Sequence, residues 1–212
     1  MNGRLSLNPK LPRHIVAADL LAPLAGASKA EVSHLLRELE LMRGTLGDPR
    51  DWSSAGWRAE LASSDRRLAE RLWAAVPQLS PGRLYGTYLL VNKYGLLEHA
   101  GLQPYVIGEK AERFIDGDRD LLTVIDIGEG MMALLTIVAT AHDVDEVRNQ
   151  WEDFCRQNTH SKSQATMQDL FRHRLANLID RKMLSKNGGS MSLTALGQAH
   201  LENRSRSISA PA

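Results

Sequence analysis

Apolar residues return every three or four positions through most of this chain, the spacing of helices that bury one face. Ile15, Val16, Leu20, Leu21 and Leu24 predict a helix over 14–24, broken by Gly26-Ala-Ser28. Ser28 with Glu31 three residues on has the pattern of a capping box. A second helix carrying Val32, Leu35, Leu36, Leu39 and Leu41 towards Met42 is therefore predicted to follow it. Residues 44–56, rich in Gly, Pro, Asp and Ser, read as a loop. A helix over 57–76 places Leu61, Leu68, Leu72 and Trp73 on one side. Ser80-Pro81 starts another, burying Leu84, Tyr88 and Val91 and ending at Gly95. Residues 105–107 read as a short strand and 110–115 as a helix.

Past the polar run Asp116-Gly-Asp-Arg-Asp120, Val124-Ile-Asp-Ile127 resembles a strand, and 128–141 reads as a buried helix. Asp143 or Asp145 is placed to cap the next helix, which carries Val147, Trp151 and Phe154. Residues 164–184 form a long helical pattern with Met167, Phe171, Leu175 and Leu178 inward. A Gly188-Gly189 turn, an alternating Met191–Leu193 strand and a new helix follow. Residues 1–13 lack periodicity and read as an arm or flexible lead; 203–212 read as a disordered tail.

The two halves overlay. Leu84, Tyr88, Val91 and Leu97 lie 87 positions before Phe171, Leu175, Leu178 and Leu184. Ile107, Ala111 and Ile115 lie 86 positions before Leu193, Gly197 and Leu201. The one-residue slip falls in the loop between them. Few identities are shared, so what repeats is a pattern of helix stripe, turn and strand.

Composition is that of an ordinary globular protein, 43% hydrophobic and 24% charged. One cysteine, Cys155, excludes an internal disulfide framework, and its place beside Phe154 reads as packing. No apolar run follows the basic start, and the longest apolar segment, 131–141, is too short to span a bilayer. A cytoplasmic protein without membrane contact is expected. Net charge is only +1, but residues 117–159 hold nine acidic and three basic residues, whereas 160–212 hold eight basic and three acidic ones. A basic end suits a phosphate backbone.

The segment from Arg174 through Leu184, the Gly-Gly turn and Leu193-Thr-Ala-Leu-Gly197 resemble the recognition helix, wing and following helix of the winged helix-turn-helix superfamily. Leu-Thr-x-x-Gly is similar to an ending common in bacterial regulators of that kind. The resemblance covers about 80–116 and 164–202, and in the first copy Ile107-Gly-Glu-Lys-Ala111 departs from it. It implies a mainly α fold with two winged-helix units and short β-hairpin wings: an N-terminal domain over 1–116 and a C-terminal one over 117–202. It also implies duplex DNA binding, as a transcriptional regulator or a recognition subunit of a larger bacterial system. A homodimer or larger complex is the expected assembly. The alternative is a winged-helix adaptor between proteins, without DNA contact.

Gln164, Gln168 and Arg172 recur every four residues on one helix face, with Lys162 ahead and His173 beside them. Gln can pair with adenine and Arg with guanine in the major groove. Lys186 and Asn187, in a turn that glycines keep open, are the expected backbone contacts. In the first copy Arg83, Tyr85 and Thr87 take the corresponding role, but the loop 100–104 is uncharged.

Catalytic, metal and cofactor readings fare worse. No His-x₃-His, Cys-x₂-Cys, Gly-x-Ser-x-Gly or phosphate-loop spacing occurs. His142 with Asp143 and Asp145 reads better as a helix start than as a metal site. Gly128-Glu-Gly-Met-Met-Ala133 fits a permissive dinucleotide pattern, but Glu129 would oppose a pyrophosphate. No enzyme activity, metal or cofactor is expected.

Overall fold

The computed structural model describes residues 4–45 and 48–209, with side chains up to Glu202. The chain divides into two compact units. One is His14–Asp118; the other combines the first thirteen residues with everything from Arg119 onward. The division thus falls two residues past the expected boundary, and the N-terminal arm belongs with the later unit.

In the His14–Asp118 unit, α1 (His14–Leu24) buries Ala17, Leu20, Leu21 and Leu24. The second helix, α2 (Lys29–Leu41), opens on the expected capping box: Ser28 Oγ accepts from the Glu31 N–H, and Glu31 accepts from the Ser28 N–H at 2.7 Å. These bonds hold the Glu31 carboxyl below its usual range. The helix expected over 57–76 is instead a 3-10 turn, Gly56–Glu60, followed by α3 (Ser63–Ala75). The break persists because the Arg66 guanidinium takes the carbonyls of Arg58, Ala59 and Leu61, which the interruption frees. Trp57 packs edge-on to both Trp52 and Trp73. The indole N–H groups of Trp57 and Trp73 both donate to the Trp52 carbonyl. Then come α4 (Pro81–Tyr94) and α5 (Glu109–Ile115).

The other unit opens on α6 (Arg119–Gly128), which replaces the strand expected at 124–127. Its buried residues, Leu121, Leu122 and Ile125, follow a helical repeat, while Val124 and Ile127 are left exposed. The run of β-branched residues suggested a strand, but burial decided otherwise. Next come α7 (Met131–Thr140) and α8 (Val144–Asn158), whose cap is Asp143, accepting from the N–H groups of Asp145 and Glu146. A long α9 (Gln164–Asp180) leads into β1 (Leu184–Asn187) and β2 (Ser190–Leu193), an antiparallel hairpin. The last helix, α10 (Ala195–Ser209), continues through most of the expected tail, so 203–209 is helical backbone rather than irregular chain. Residues 210–212 lie outside the described ones.

The units repeat one frame, at the offsets seen in the sequence. Gly95 ends α4 in the left-handed region, and the Leu96 N–H reaches back to the Val91 carbonyl at 3.0 Å. Eighty-seven positions on, Lys182 is left-handed at φ 55°, and the Met183 N–H reaches back to Leu178 at 2.9 Å. Both are Schellman endings. This ending stops α9 at Asp180, short of the expected Leu184. The bridge pair Glu98–Val106 corresponds to Ser185–Ser192 in the β1–β2 hairpin. Where a strand over 105–107 was expected, Val106 is bridged to Glu98 but no ladder extends through its neighbours among the described residues.

A third segment joins each hairpin. The Tyr105 N–H donates to Ala27 (2.8 Å) just before α2, and the Met191 N–H to His142 (2.7 Å) just before α8. Ser28 pairs with Pro104 as Asp143 pairs with Ser190, and both residues cap the helix that follows. In the first unit the 3-10 turn and α3 are an added piece between the helices that correspond to α8 and α9.

Candidate nucleic-acid interface

Helix α9 buries Met167, Leu170, Phe171, Arg174, Asn177 and Leu178. The helical repeat then turns Arg172 away from this buried face and leaves Gln164 and Gln168, each one turn earlier, on its flank. Gln164 is exposed, as is Lys162 on the connection before it, and the Arg172 side chain is 75% exposed. Gln168 is half-buried, its amide 3.5 Å from Glu152 on α8, so it is less open than its position on the helix suggested. Lys186 and Asn187 are exposed at the end of β1, where Gly188 takes φ 57°.

His173 is half-buried. Burial, with the charges of Lys10 and Arg174 beside it, pushes its imidazole below the ordinary value, so it favours the neutral form. Asp169 sits between two cations. Arg172 donates to one carboxylate oxygen, and Lys10 lies 3.8 Å from the other. The hydrogen bond from Arg172 holds the Asp169 carboxyl below its usual range.

In the first unit the expected face comes apart. Thr87 is fully buried, its hydroxyl donating to the Arg83 carbonyl at 3.0 Å, and it cannot meet a ligand. Lying four residues from Val91 on the core stripe, it follows the buried side of α4. Arg83 is exposed but donates to the Gln78 carbonyl, and Tyr85 is partly exposed. The hairpin tip is uncharged, with Leu102 89% exposed.

The basic excess of the C-terminal segment is partly spent inside the unit. Arg174 and Glu129 pair at 3.1 Å with neither side chain exposed, and Arg174 also donates to the Glu129 and Asn8 carbonyls. Arg181 takes both oxygens of Asp126 (2.6 and 2.9 Å), and His200 contacts the same carboxylate at 2.8 Å. Asp126 and Glu129 belong to the segment whose acidity stood out in the sequence. The opposite charges of the two segments meet in these pairs. Among the described residues, Lys162, Lys182 and Lys186 form no such pair.

The arm was read as an arm or flexible lead, but its docking along α9 escaped sequence reasoning. Leu5 pairs with Thr159, the Asn8 N–H donates to Glu129 (2.8 Å), and Asn177 donates to the Pro12 carbonyl (2.7 Å). The arm therefore follows α9 and presents Lys10 to Asp169 and Arg13 to Asp180 (3.1 Å). Extended chain held by backbone bonds leaves no helical or alternating signature to find.

The Leu-Thr-x-x-Gly segment has a structural job. Thr194 Oγ1 donates to the Lys182 carbonyl (2.6 Å) and accepts from the Gly197 N–H (3.1 Å), tying the start of α10 to the end of α9. A Cβ on Gly197 would run into the Met183 carbonyl, so glycine lets the two backbones meet.

Compared with known proteins, the chain matches no family model, no curated relative and no solved structure. Among the described residues no three His, Cys, Asp or Glu side chains form a group able to hold a metal. No single helix among them is long and apolar enough to cross a membrane.

Proposed function

We propose that this chain is a duplex DNA-binding protein built from two winged-helix units, with the unit containing α9 as its principal reader. The observation that carries the reading is the outward face of α9 beside the β1–β2 hairpin. Gln164, Gln168 and Arg172 occupy successive turns of one helix, and Lys186 and Asn187 flank the open Gly-Gly turn. The B-form major groove, about 12 Å wide, admits one helix carrying such side chains. A cation at a hairpin tip is suited to the adjacent backbone. The repeated frame of helices, capping segment and hairpin supports the winged-helix assignment of both units.

The test is binding of the full chain to duplex DNA, followed by fluorescence anisotropy as salt is raised. Joint replacement of Arg172 and Lys186 by alanine should lower the salt slope by about two, roughly one per lost phosphate or base-edge cation. An unchanged slope removes this face from the interface. A second reading, an adaptor between proteins, is favoured by Leu102, exposed at an uncharged tip. Absence of salt-sensitive DNA binding by the wild-type chain would favour it.

A further inference from the structure

We infer that the arm preceding α1 is a third DNA-contacting element, a backbone clamp beside α9; this rests on the DNA-binding reading above. The arm is fixed by its inward residues. Asn8, Leu11 and Pro12 are buried, and the bonds from Asn177 to Pro12 and from Arg174 to Asn8 hold its backbone along α9. Lys10, between these anchors, and Arg13, just after the last, turn outward, their side chains 45% and 53% exposed. Arg4 is also exposed, next to the Leu5–Thr159 pair and so beside the connection that bears Lys162.

The carboxylates these cations meet, Asp169 and Asp180, stand on the flank of the helix proposed to enter the groove. Unmasked, both would repel phosphate. Lys10 and Arg172 share Asp169, so one carboxylate joins an arm cation to the reading face. Along this flank Lys10, Arg13 and Arg172 outnumber Asp169 and Asp180, and the surplus is positive. At 1.5 Å per residue the two carboxylates are about 16 Å apart along α9. That separation is enough for Lys10 and Arg13 to meet different phosphates on a strand rising about 3.4 Å per nucleotide.

Shielding and direct contact are separable. Full-length Lys10→Ala and Arg13→Ala are titrated with salt on a mixed-sequence duplex, each also in the background that neutralises its partner, Asp169→Asn or Asp180→Asn. The expected result is a slope lower by about one for each alanine, in both backgrounds, restored by Lys10→Arg and Arg13→Lys. Slopes unchanged by alanine, or changed only while the partner aspartate is present, would overturn the clamp. If wild type binds and Arg172→Ala with Lys186→Ala lowers the slope while the arm variants do not, the clamp alone is wrong. If wild type does not bind duplex DNA, the functional reading fails and takes the clamp with it.

Discussion

Arg174 on α9 and Glu129, between α6 and α7, form an ion pair with no solvent exposure on either side chain. The guanidinium also holds the Glu129 and Asn8 carbonyls, and Glu129 accepts the Asn8 N–H, so one pair joins the arm, the α6–α7 turn and α9. Two charges are tolerated there because each finds the other and further hydrogen bonds. Arg174→Ala would take the guanidinium away from the buried Glu129 carboxylate. The expected cost is about 3–5 kcal/mol, read as a lower urea midpoint, with the arm more open to proteolysis. A loss below about 1 kcal/mol would mean that water replaces the pair.

Cys155 is fully buried on α8, and burial pushes its thiol up to about 11. The unfolded chain releases this proton near pH 9, the ordinary value, while the folded chain keeps it. The unfolded state therefore binds fewer protons between those values, and stability should fall as pH rises from about 9 to 11. Cys155→Ala should flatten that part of the pH–stability curve. A thiol reagent at neutral pH should label wild type only as fast as it opens.

Lys182 holds the left-handed position that Gly95 occupies in the other unit. A lysine there bears a strain that glycine lacks. Lys182→Gly should raise the stability of its unit by about 1 kcal/mol, seen as a higher melting temperature. A decrease would mean that the lysine side chain makes a compensating contact.

Gly197 and Gly189 differ in what surrounds them. A methyl group at Gly197 meets the Met183 backbone, which cannot rotate away, whereas Gly189 faces open space. Gly197→Ala should cost about 1–3 kcal/mol in thermal unfolding. Gly189→Ala should leave the melting temperature nearly unchanged. Equal effects would show that α10 can shift away from Met183.

Arg83 and Tyr85 retain exposure on α4, but Thr87 does not. If the later unit is the principal reader, joint replacement of Arg83 and Tyr85 by alanine should change DNA affinity less than twofold, whereas Arg172→Ala with Lys186→Ala should lower it at least tenfold. The same anisotropy titration reads both. A larger loss from the α4 pair would move the interface to the first unit.

Patterned and locally closed features were legible in the chain. The stripe Met167, Phe171, Leu178 and the capping box at Ser28 required only neighbours along one helix. The repeat at 87 and 86 positions was legible too, and its offsets carry the Glu98–Val106 pair onto Ser185–Ser192. It failed where chemistry and periodicity disagreed: Val124 and Ile127 suggested a strand, and Thr87 looked like part of a polar face. Burial of Leu121, Leu122 and Ile125 decides the first, and the side of α4 that meets the core decides the second.

By itself, then, the sequence determined most of the helices, the caps at Ser28 and Ser80 and the duplicated order of helix, turn and hairpin, because those rest on periodicity and on bonds a few residues long. Only the tertiary structure decided which charges remain at the surface. Arg174 and Arg181 find carboxylates 45 and 55 positions away, while Lys10 and Arg13 arrive beside α9 from the far end of the chain. A charge repels or attracts according to distance in space, which no count along the chain contains.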